Sequence, residues 1–192
     1  QRNSLLKNIK DGKSNKSEIE FWDERLAEEA SNIFFERNKI IKTITQSSKE
    51  FAKNFNNNIN LDIKYLPKIG RNLENKFLDE NPSTDEIKLI FYESLKKNHN
   101  RDIDQRITTI GPHRDDFEIV FNNSTASVTA SRGQSRIISL SLKLSEAKEI
   151  RSITERKPIL ILDDIFSELD EKMRQKVENE ILDFDQILLS TA

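Results

Sequence analysis

The feature that most constrains the fold is a run of four apolar residues, Ile159 to Leu162, that ends in Asp163 and Asp164. Four consecutive apolar residues suit a strand that is buried on both faces of a parallel sheet. Ligands of open α/β sheets bind at the carboxyl ends of such strands, where these two carboxylates lie. The run therefore predicts an α/β fold with an acidic site. The alternative is an aspartate that only caps the turn after a buried strand.

The segments on either side of this run predict a parallel α/β unit. A helix is expected from about Ser135 to Arg151, and a second one over roughly Glu171 to Leu182 leads to a last strand, Gln186 to Ser190. Strand, helix and strand at this spacing form a parallel pair with a crossover helix. Upstream, Ile107 to Ile110 and Phe117 to Phe121 predict shorter strands. A hairpin turn at Asn122 and Asn123 should then lead into a return strand that begins near Val128.

The first half of the chain is predicted to be mainly helical. From Glu18, apolar residues recur every three or four positions over more than two dozen residues, which indicates a long amphipathic helix. Its apolar stripe most simply faces a core, although a DNA-contacting lever or a partner groove would use the same pattern. Ser83 and Glu86 form a capping box that begins another helix. We therefore predict a mainly helical arm lobe over residues 1–105 and a partial α/β lobe over residues 106–192.

Composition narrows the functional classes. The 192 residues include 31 basic and 33 acidic side chains, for a net charge of −2, so any nucleic-acid surface must be a local patch. The absence of cysteine excludes disulfides, and no apolar run approaches the roughly 18 residues of a membrane span. These features predict a cytoplasmic protein. Because Met173 is the only methionine, we also expect residues upstream of Gln1.

A second candidate motif lies immediately before the predicted helix at Ser135. It consists of Ser131, Arg132, Gly133 and Gln134. A small hydroxyl, a glycine that admits close approach and a helix N-terminus together form a cradle for an anion. The alternative is an ordinary serine N-cap beside a glycine turn.

A third candidate motif, Ser167, Glu168 and Asp170, follows the acidic pair and precedes the helix at Glu171. By its residues alone it suits a helix N-cap, which does not exclude a second role. A phosphate-binding loop of the form G-x-x-x-x-G-K-[ST] is missing, because the four glycines of the chain cannot build it. Gly12, Lys13 and Ser14 match only its end. We expect that loop upstream of Gln1.

Three segments, Gly111 to Asp116, Ser131 to Arg136 and Pro158 to Asp170, together resemble the RecF family of ABC-type ATPases. The resemblance is sharp over residues 108–170 and weak before Arg101. It implies a partial ABC-type ATPase lobe of the P-loop NTPase kind, joined to a helical arm lobe. It also implies ATP and Mg²⁺ as cofactors, and that the fragment without its phosphate-binding loop is inactive alone.

The resemblance further implies a role for each candidate residue. Asp163 would position Mg²⁺, and Asp164 would act as the general base. The remaining assignments are a signature loop that faces ATP across a dimer (Ser131, Gly133, Gln134), a loop along the dimer interface (Ser167, Glu168, Asp170) and a polar switch residue (Thr191). Arg132 stands where the family commonly has glutamine. It either contacts the nucleotide in trans or is a solvated surface arginine.

In the function implied by the resemblance, the protein binds double-stranded DNA as an ATP-dependent homodimer with slow ATP hydrolysis. It would aid recombinase loading at gaps together with the RecR and RecO proteins. Two other functions stay open: another ABC or SMC-type ATPase head, and a DNA- or partner-binding module whose motifs serve dimerisation alone. His113 is expected to be a structural hydrogen-bonding residue, with a site-neighbour or DNA-contacting role as the alternatives. Asp115 and Asp116 are expected to cap turns.

Overall fold

The structure, a computed structural model, describes residues 1–69, 82–166 and 169–190. Within these residues, every helix is too short or too polar to cross a lipid bilayer. The elements, in chain order, are α1 (Arg2–Lys10), α2 (Ile19–Phe55), β1 (Leu61–Leu66), α3 (Thr84–Gln105), β2 (Asp116–Phe121), β3 (Ser124–Thr125), α4 (Ala126–Thr129), α5 (Arg132–Thr154), β4 (Leu160–Asp163), α6 (Glu171–Ile181) and β5 (Ile187–Ser190).

The chain divides into two compact units, and each of them combines two separate segments. The first unit consists of Gln1–Lys39 and Tyr65–Phe117, and the second of Ile40–Lys64 and Glu118–Ala192. Both units contain residues from before and after the predicted boundary at residue 105. The division into lobes at residues 1–105 and 106–192 therefore stays a prediction.

The first unit is held together by a buried ionic network that begins in α1, a helix that the sequence patterns did not predict. Arg2 is 7% exposed and donates to Asp23 of α2 at 2.8 Å and to Asp102 of α3 at 2.7 Å. His99 contacts the same Asp23 carboxylate. A buried guanidinium is tolerated only when it is paired in this way. Leu6 and other apolar side chains of α1 to α3 form a buried cluster in the same unit.

The strand predicted at Ile107 to Ile110 is wrong, because no strand is assigned between α3 and the 3-10 turn at Pro112–Arg114. Side chains take the backbone hydrogen bonds that a strand ladder would use. The amide of Thr108 donates to Asn3 Oδ1 at 2.8 Å, and the amide of Thr109 donates to Asp102 Oδ1 at 3.0 Å. Satisfied in this way, the segment needs no neighbouring strand.

Asp115 accepts hydrogen bonds from three sides within the first unit. Arg37 Nη1 donates to it at 3.0 Å, the amide of Lys68 donates at 2.8 Å, and the Tyr65 hydroxyl donates to the same carboxylate. Burial, followed by the hydrogen bond to Asp115, raises the pKa of Tyr65 well above its ordinary value. The arrangement supports a structural role for this aspartate. His113 also has the expected hydrogen-bonding role, since its Nε2 lies 3.1 Å from the carbonyl oxygen of Thr108.

Replacing Asp115 by asparagine is expected to lower the free energy of unfolding by about 2 kcal/mol. The Asp115 side chain is only 3% exposed, and the change removes its charge-assisted hydrogen bond with Arg37. Urea unfolding of the chain measures this change. Tyr65→Phe is the matched control, which removes a single donor and should cost about 1 kcal/mol. Equal stability of Asp115→Asn and the unsubstituted chain would contradict the role given to Asp115.

A short hairpin follows, in a sheet with strand order β1-β2-β3. Strands β2 and β3 are antiparallel, and Asn122 and Asn123 between them have φ values of 49° and 66°. Asparagine tolerates these left-handed values, so the predicted hairpin turn is confirmed. The predicted start of the return strand near Val128 is wrong. The observed return strand, β3, ends at Thr125, and Val128, which is 81% exposed, lies in the short helix α4.

The second unit contains the predicted strand, helix and strand. Strands β4 and β5 are parallel and pair Leu160 with Ile187 and Asp163 with Ser190, while α6 lies between them in sequence. Buried side chains of α5, β4 and α6 form one apolar core (Ile137, Ile138, Leu140, Leu144, Leu160, Leu162, Val177, Ile181). The sequence pattern therefore located the α/β unit correctly.

The expectation that β4 is buried on both faces is wrong. Leu160 and Leu162 are 6% and 5% exposed, whereas Ile161 between them is 71% exposed. The same face continues on β5, where Leu188, the register partner of Ile161, is 52% exposed. Side chains alternate across a strand, so Ile161 and Leu188 lie on one face of the strand pair and the buried Leu160 and Leu162 lie on the other. We refer to Ile161 and Leu188 as the open apolar face.

Candidate functional site

The site begins at the carboxyl end of the parallel pair, where β4 delivers Asp163 and Asp164. Their nearest partner across the sheet is Ser190, which the register places beside Asp163. The Ser190 hydroxyl donates to the Asp163 carboxylate, and its oxygen accepts the amide of Asp164 at 3.2 Å. One hydroxyl therefore fixes both members of the acidic pair at the edge where α/β sheets bind ligands.

Ser190 was not among the residues assigned to the site from sequence. The prediction placed the polar residue after the last strand at Thr191, which lies outside the described residues. The available signal was register: two parallel strands that end together bring their final residues side by side. Asp163 ends β4 and Ser190 ends β5, so the pairing followed from the strand ends, once these were known.

Asp164 has an unusual backbone conformation, with a φ of 47°. Aspartate visits this left-handed region more readily than most residues, but the surroundings must still hold it there. Its amide is held by Ser190, and its carbonyl oxygen accepts a hydrogen bond of 2.7 Å from Nη1 of Arg136 on α5. The proposed base is thus fixed from two sides through its backbone.

The second motif is the N-terminus of α5. Ser131 is the N-cap: its Oγ accepts the amide of Gln134 at 3.3 Å, and Gln134 Oε1 accepts the amide of Ser131 at 2.8 Å. The N-cap description of this loop is therefore correct, and it is compatible with anion binding because the Ser131 hydroxyl keeps its proton to donate. Arg132, the first residue of α5, is exposed.

Gly133 lies in the first turn of α5, and a methyl group built at its position meets nothing within 4 Å among the described residues. The part of the chain that the structure describes therefore gives no packing reason for glycine here. Glycine in a helix is also less favourable than alanine. A residue that costs stability without a local reason is consistent with a surface that a ligand or another chain must approach closely.

A cleft of about 540 Å³ in the second unit brings the acidic pair and α5 together. Asp163 and Asp164 form part of its wall, and Ser135, Arg136 and Ser139 of α5 form another part. The wall that the structure describes does not include Ser131, Arg132, Gly133 or Gln134. The signature loop thus lies beside this chain's own acidic cleft and outside its lining.

The third motif is described only in part. Asp170 caps α6, since its Oδ1 accepts the amide of Met173 at 2.8 Å, which confirms the helix-cap interpretation. The proposed interface role of Asp170 is untested and stays a prediction. Ser167 and Glu168 lie outside the described residues.

The acidic end offers the chemistry that Mg²⁺ prefers. The carboxylate of Asp163 and the hydroxyl of Ser190 are both hard oxygen donors, and Asp163 is exposed. Magnesium usually binds one or two carboxylates and completes its shell with water and phosphate oxygens. Among the described residues no group of three or more metal-ligating acidic, histidine or cysteine side chains is found. Asp163 and Ser190 suit a magnesium ion that takes few of its ligands from the protein.

Comparison with known proteins agrees with these features. No family model matches the sequence. Curated relatives do: RecF, the DNA replication and repair protein, of Thermoanaerobacter sp. (strain X514) is 36% identical over 190 residues, which span 99% of this chain and 50% of that protein. The RecF of Clostridium perfringens (strain SM101 / Type A) is 34% identical over 191 residues, 100% of this chain and 49% of that protein.

Two solved structures show the same relationship. They are described as the recombination mediator protein RecF-ATP and RecF-ATPrS in the RecFOR pathway, and superpose with TM-scores of 0.84 and 0.83. Each is 33% identical and matches 100% of this chain and 49% of the solved chain.

The fold and the two aspartates at the end of strand β4 together define a partial ATPase-type lobe. The chain is a RecF-family sequence, and it corresponds to the C-terminal half of that family's members. It spans about half the length of the curated relatives that it matches.

Proposed function

We propose that the chain is part of a RecF-like DNA repair and recombination protein that hydrolyses ATP with Mg²⁺. The observation that carries the proposal is the acidic pair at the end of the parallel strands β4 and β5, fixed by Ser190 beside α5. This is the geometry that an ATPase uses to hold a metal and a reacting water. The relatives' names, which concern DNA replication, repair and recombination, supply the biological setting.

Each site residue has a proposed role. Asp163 and Ser190 would hold Mg²⁺, which when bound neutralises phosphate charge. Asp164 would accept the proton of the attacking water. Ser131, Arg132, Gly133 and Gln134 would contact ATP on the partner subunit, a role supported by the open space around Gly133 among the described residues. Ser167, Glu168 and Asp170 would follow the dimer interface, with Thr191 as the polar switch.

The whole protein would form an ATP-dependent homodimer on double-stranded DNA, in the cytoplasm, and would work with RecR and RecO in recombinase loading at gaps. Support comes from solved RecF structures that are described with ATP and within the RecFOR pathway. The phosphate-binding loop is missing from this sequence, so we place it in the remainder of the full-length protein. The fragment alone is therefore expected to be inactive.

Light scattering of the full-length protein tests this proposal. With ATP, Mg²⁺ and duplex DNA the mass should double, and without ATP it should return to the monomer value. A monomer under every condition would overturn the composite-site mechanism. A dimer that never hydrolyses ATP would instead favour a binding module in which the motifs serve dimerisation alone.

Ser190→Ala in the full-length protein should raise the Mg²⁺ concentration needed for half-maximal ATPase activity by roughly 10- to 100-fold, because residues that orient a metal's ligands carry effects of that size. The change removes the hydroxyl that orients Asp163 and binds the amide of Asp164. Ser152→Ala, at an exposed position of α5, is the control and should leave the magnesium titration unchanged. Coincident titration curves for the two variants would remove Ser190 from the site.

A further inference from the structure

Arg136 connects the two halves of the candidate site within one chain. It stands four residues after Arg132, the first residue of α5, and its Nη1 donates to the carbonyl oxygen of Asp164 at 2.7 Å. Arg136 and Asp164 are 28 positions apart in sequence, and both form part of the cleft wall. A charged donor forms a stronger bond to a carbonyl than a neutral one does.

The contact falls on the part of Asp164 that most needs support. A φ of 47° is a left-handed conformation, which persists in a residue other than glycine only where the surroundings fix it. The Ser190 hydroxyl fixes the amide side of Asp164, and Arg136 fixes the carbonyl side. The direction of the Asp164 carboxylate therefore depends on where Arg136, and hence α5, stands.

The N-terminus of α5 is rigidly linked to Arg136. Ser131 and Gln134 close a capping box at the start of the helix, and Ile137 and Ile138, directly after Arg136, are 6% and 3% exposed in the core. A displacement of the capped end is therefore carried along the helix to the guanidinium, since packed helices move as units.

We propose that Arg136 is a positioning residue that transmits nucleotide contact at the signature loop to Asp164 of the same chain. The inference rests on the proposed function, in which the loop of one subunit touches ATP on its partner. Each subunit would then sense the partner's ATP at Ser131–Gln134 and respond through its own acid. Hydrolysis at the two sites of the dimer would be coupled through the hydrogen bond between Arg136 and Asp164.

Steady-state ATPase measurements on the full-length protein test the proposal. Arg136→Ala should lower kcat roughly 10- to 100-fold, because small misplacements of a reacting group carry effects of that size. It should also reduce the Hill coefficient for ATP to one, with KM and the ATP-dependent dimer retained. Arg136→Lys, which keeps a charged donor, should recover part of kcat. Arg151→Ala is the matched control, because Arg151 lies on the same helix and points to the carbonyl of Asp183 at 3.5 Å, away from the site.

Mixed dimers separate positioning within the chain from damage to the loop. In one dimer, an Arg136→Ala subunit pairs with an Asp164→Asn subunit, so the only working acid lacks its arginine. In the other, both changes lie on one subunit, and the working acid belongs to an unaltered partner. We expect low activity in the first dimer and about half of wild-type activity in the second.

The outcomes are distinguishable. Absence of an ATP-dependent dimer in the wild-type protein overturns the proposed function. A normal wild-type dimer with Arg136→Ala kinetics equal to those of Arg151→Ala overturns the inference alone. Activity lost in the second mixed dimer and kept in the first would also overturn it, because Arg136 would then act on the partner's nucleotide through the loop. If Arg136→Ala does not fold, Arg136→Lys is used in both dimers, with the same order of activities expected.

Discussion

Asp164→Asn in the full-length protein is expected to lower kcat for ATP hydrolysis at least about 100-fold, while the ATP-bound dimer becomes longer-lived. General-base catalysis by a positioned carboxylate contributes about 10²- to 10⁴-fold, and asparagine cannot accept the proton. Hydrolysis is proposed to release the dimer, so a slower reaction should prolong it. Stopped ATPase assays and light scattering after ATP dilution measure the two effects.

The substitution should leave the fold intact for reasons that the structure makes specific. Asparagine tolerates a φ of 47° about as well as aspartate does. The contacts to Ser190 and Arg136 involve the amide and carbonyl of residue 164, which the change does not alter. Stability should therefore shift by no more than about 0.5 kcal/mol. Asp183→Asn, at an exposed position, is the control. Wild-type kcat in Asp164→Asn would remove this residue from the reaction.

Gly133→Ala is expected to abolish the ATP-dependent dimer without weakening the chain. Among the described residues the added methyl group meets nothing within 4 Å, and alanine is favoured over glycine in a helix by roughly 0.5–1 kcal/mol. Stability should therefore be unchanged or slightly higher. If ATP of the partner subunit approaches this turn closely, the same methyl group will occupy space that the nucleotide needs. The dimer would then be lost because the methyl group excludes the partner's nucleotide, and the fold of the chain would be unchanged.

Gly12→Ala provides a matched control with the opposite expectation. Gly12 also has open space around it, but its φ of 70° strains any other residue, so alanine should cost about 1 kcal/mol. Thermal unfolding should show Gly12→Ala as the less stable variant, and light scattering should show that it alone still dimerises with ATP. A Gly133→Ala protein that dimerises normally would mean that the signature loop does not meet nucleotide.

The sequence predicted those parts of the fold that depend on local signals. The capping box at Ser83, the N-cap at Ser131 and the hairpin turn at Asn122 and Asn123 are each specified by a few adjacent side chains, and each is present. The segment Ile107 to Ile110 has strand-like residues, but Asn3 and Asp102 take its amide protons. Those partners are distant in sequence, so no local pattern could reveal them.

The residues of the candidate site also differ in how far the sequence could identify them. Asp163 and Asp164 follow an apolar run, which identifies them without a structure. Ser190 and Arg136 act on Asp164 from 26 and 28 residues away, and their hydrogen bonds exist only after β5 and α5 have packed. Both are common surface residue types, so their identity alone carried no signal. For this reason the residues that support the acidic pair could be identified only from the structure.

The open apolar face of β4 and β5 has a consequence for handling the polypeptide in solution. Ile161 and Leu188 present adjoining hydrocarbon on one exposed face of the strand pair, a surface prone to nonspecific association. The chain by itself should form aggregates whose size grows with concentration and does not respond to nucleotide. Replacing Leu188 by lysine should suppress this growth, as seen by sedimentation velocity. Aggregates of unchanged size would place the adhesive surface elsewhere on the molecule.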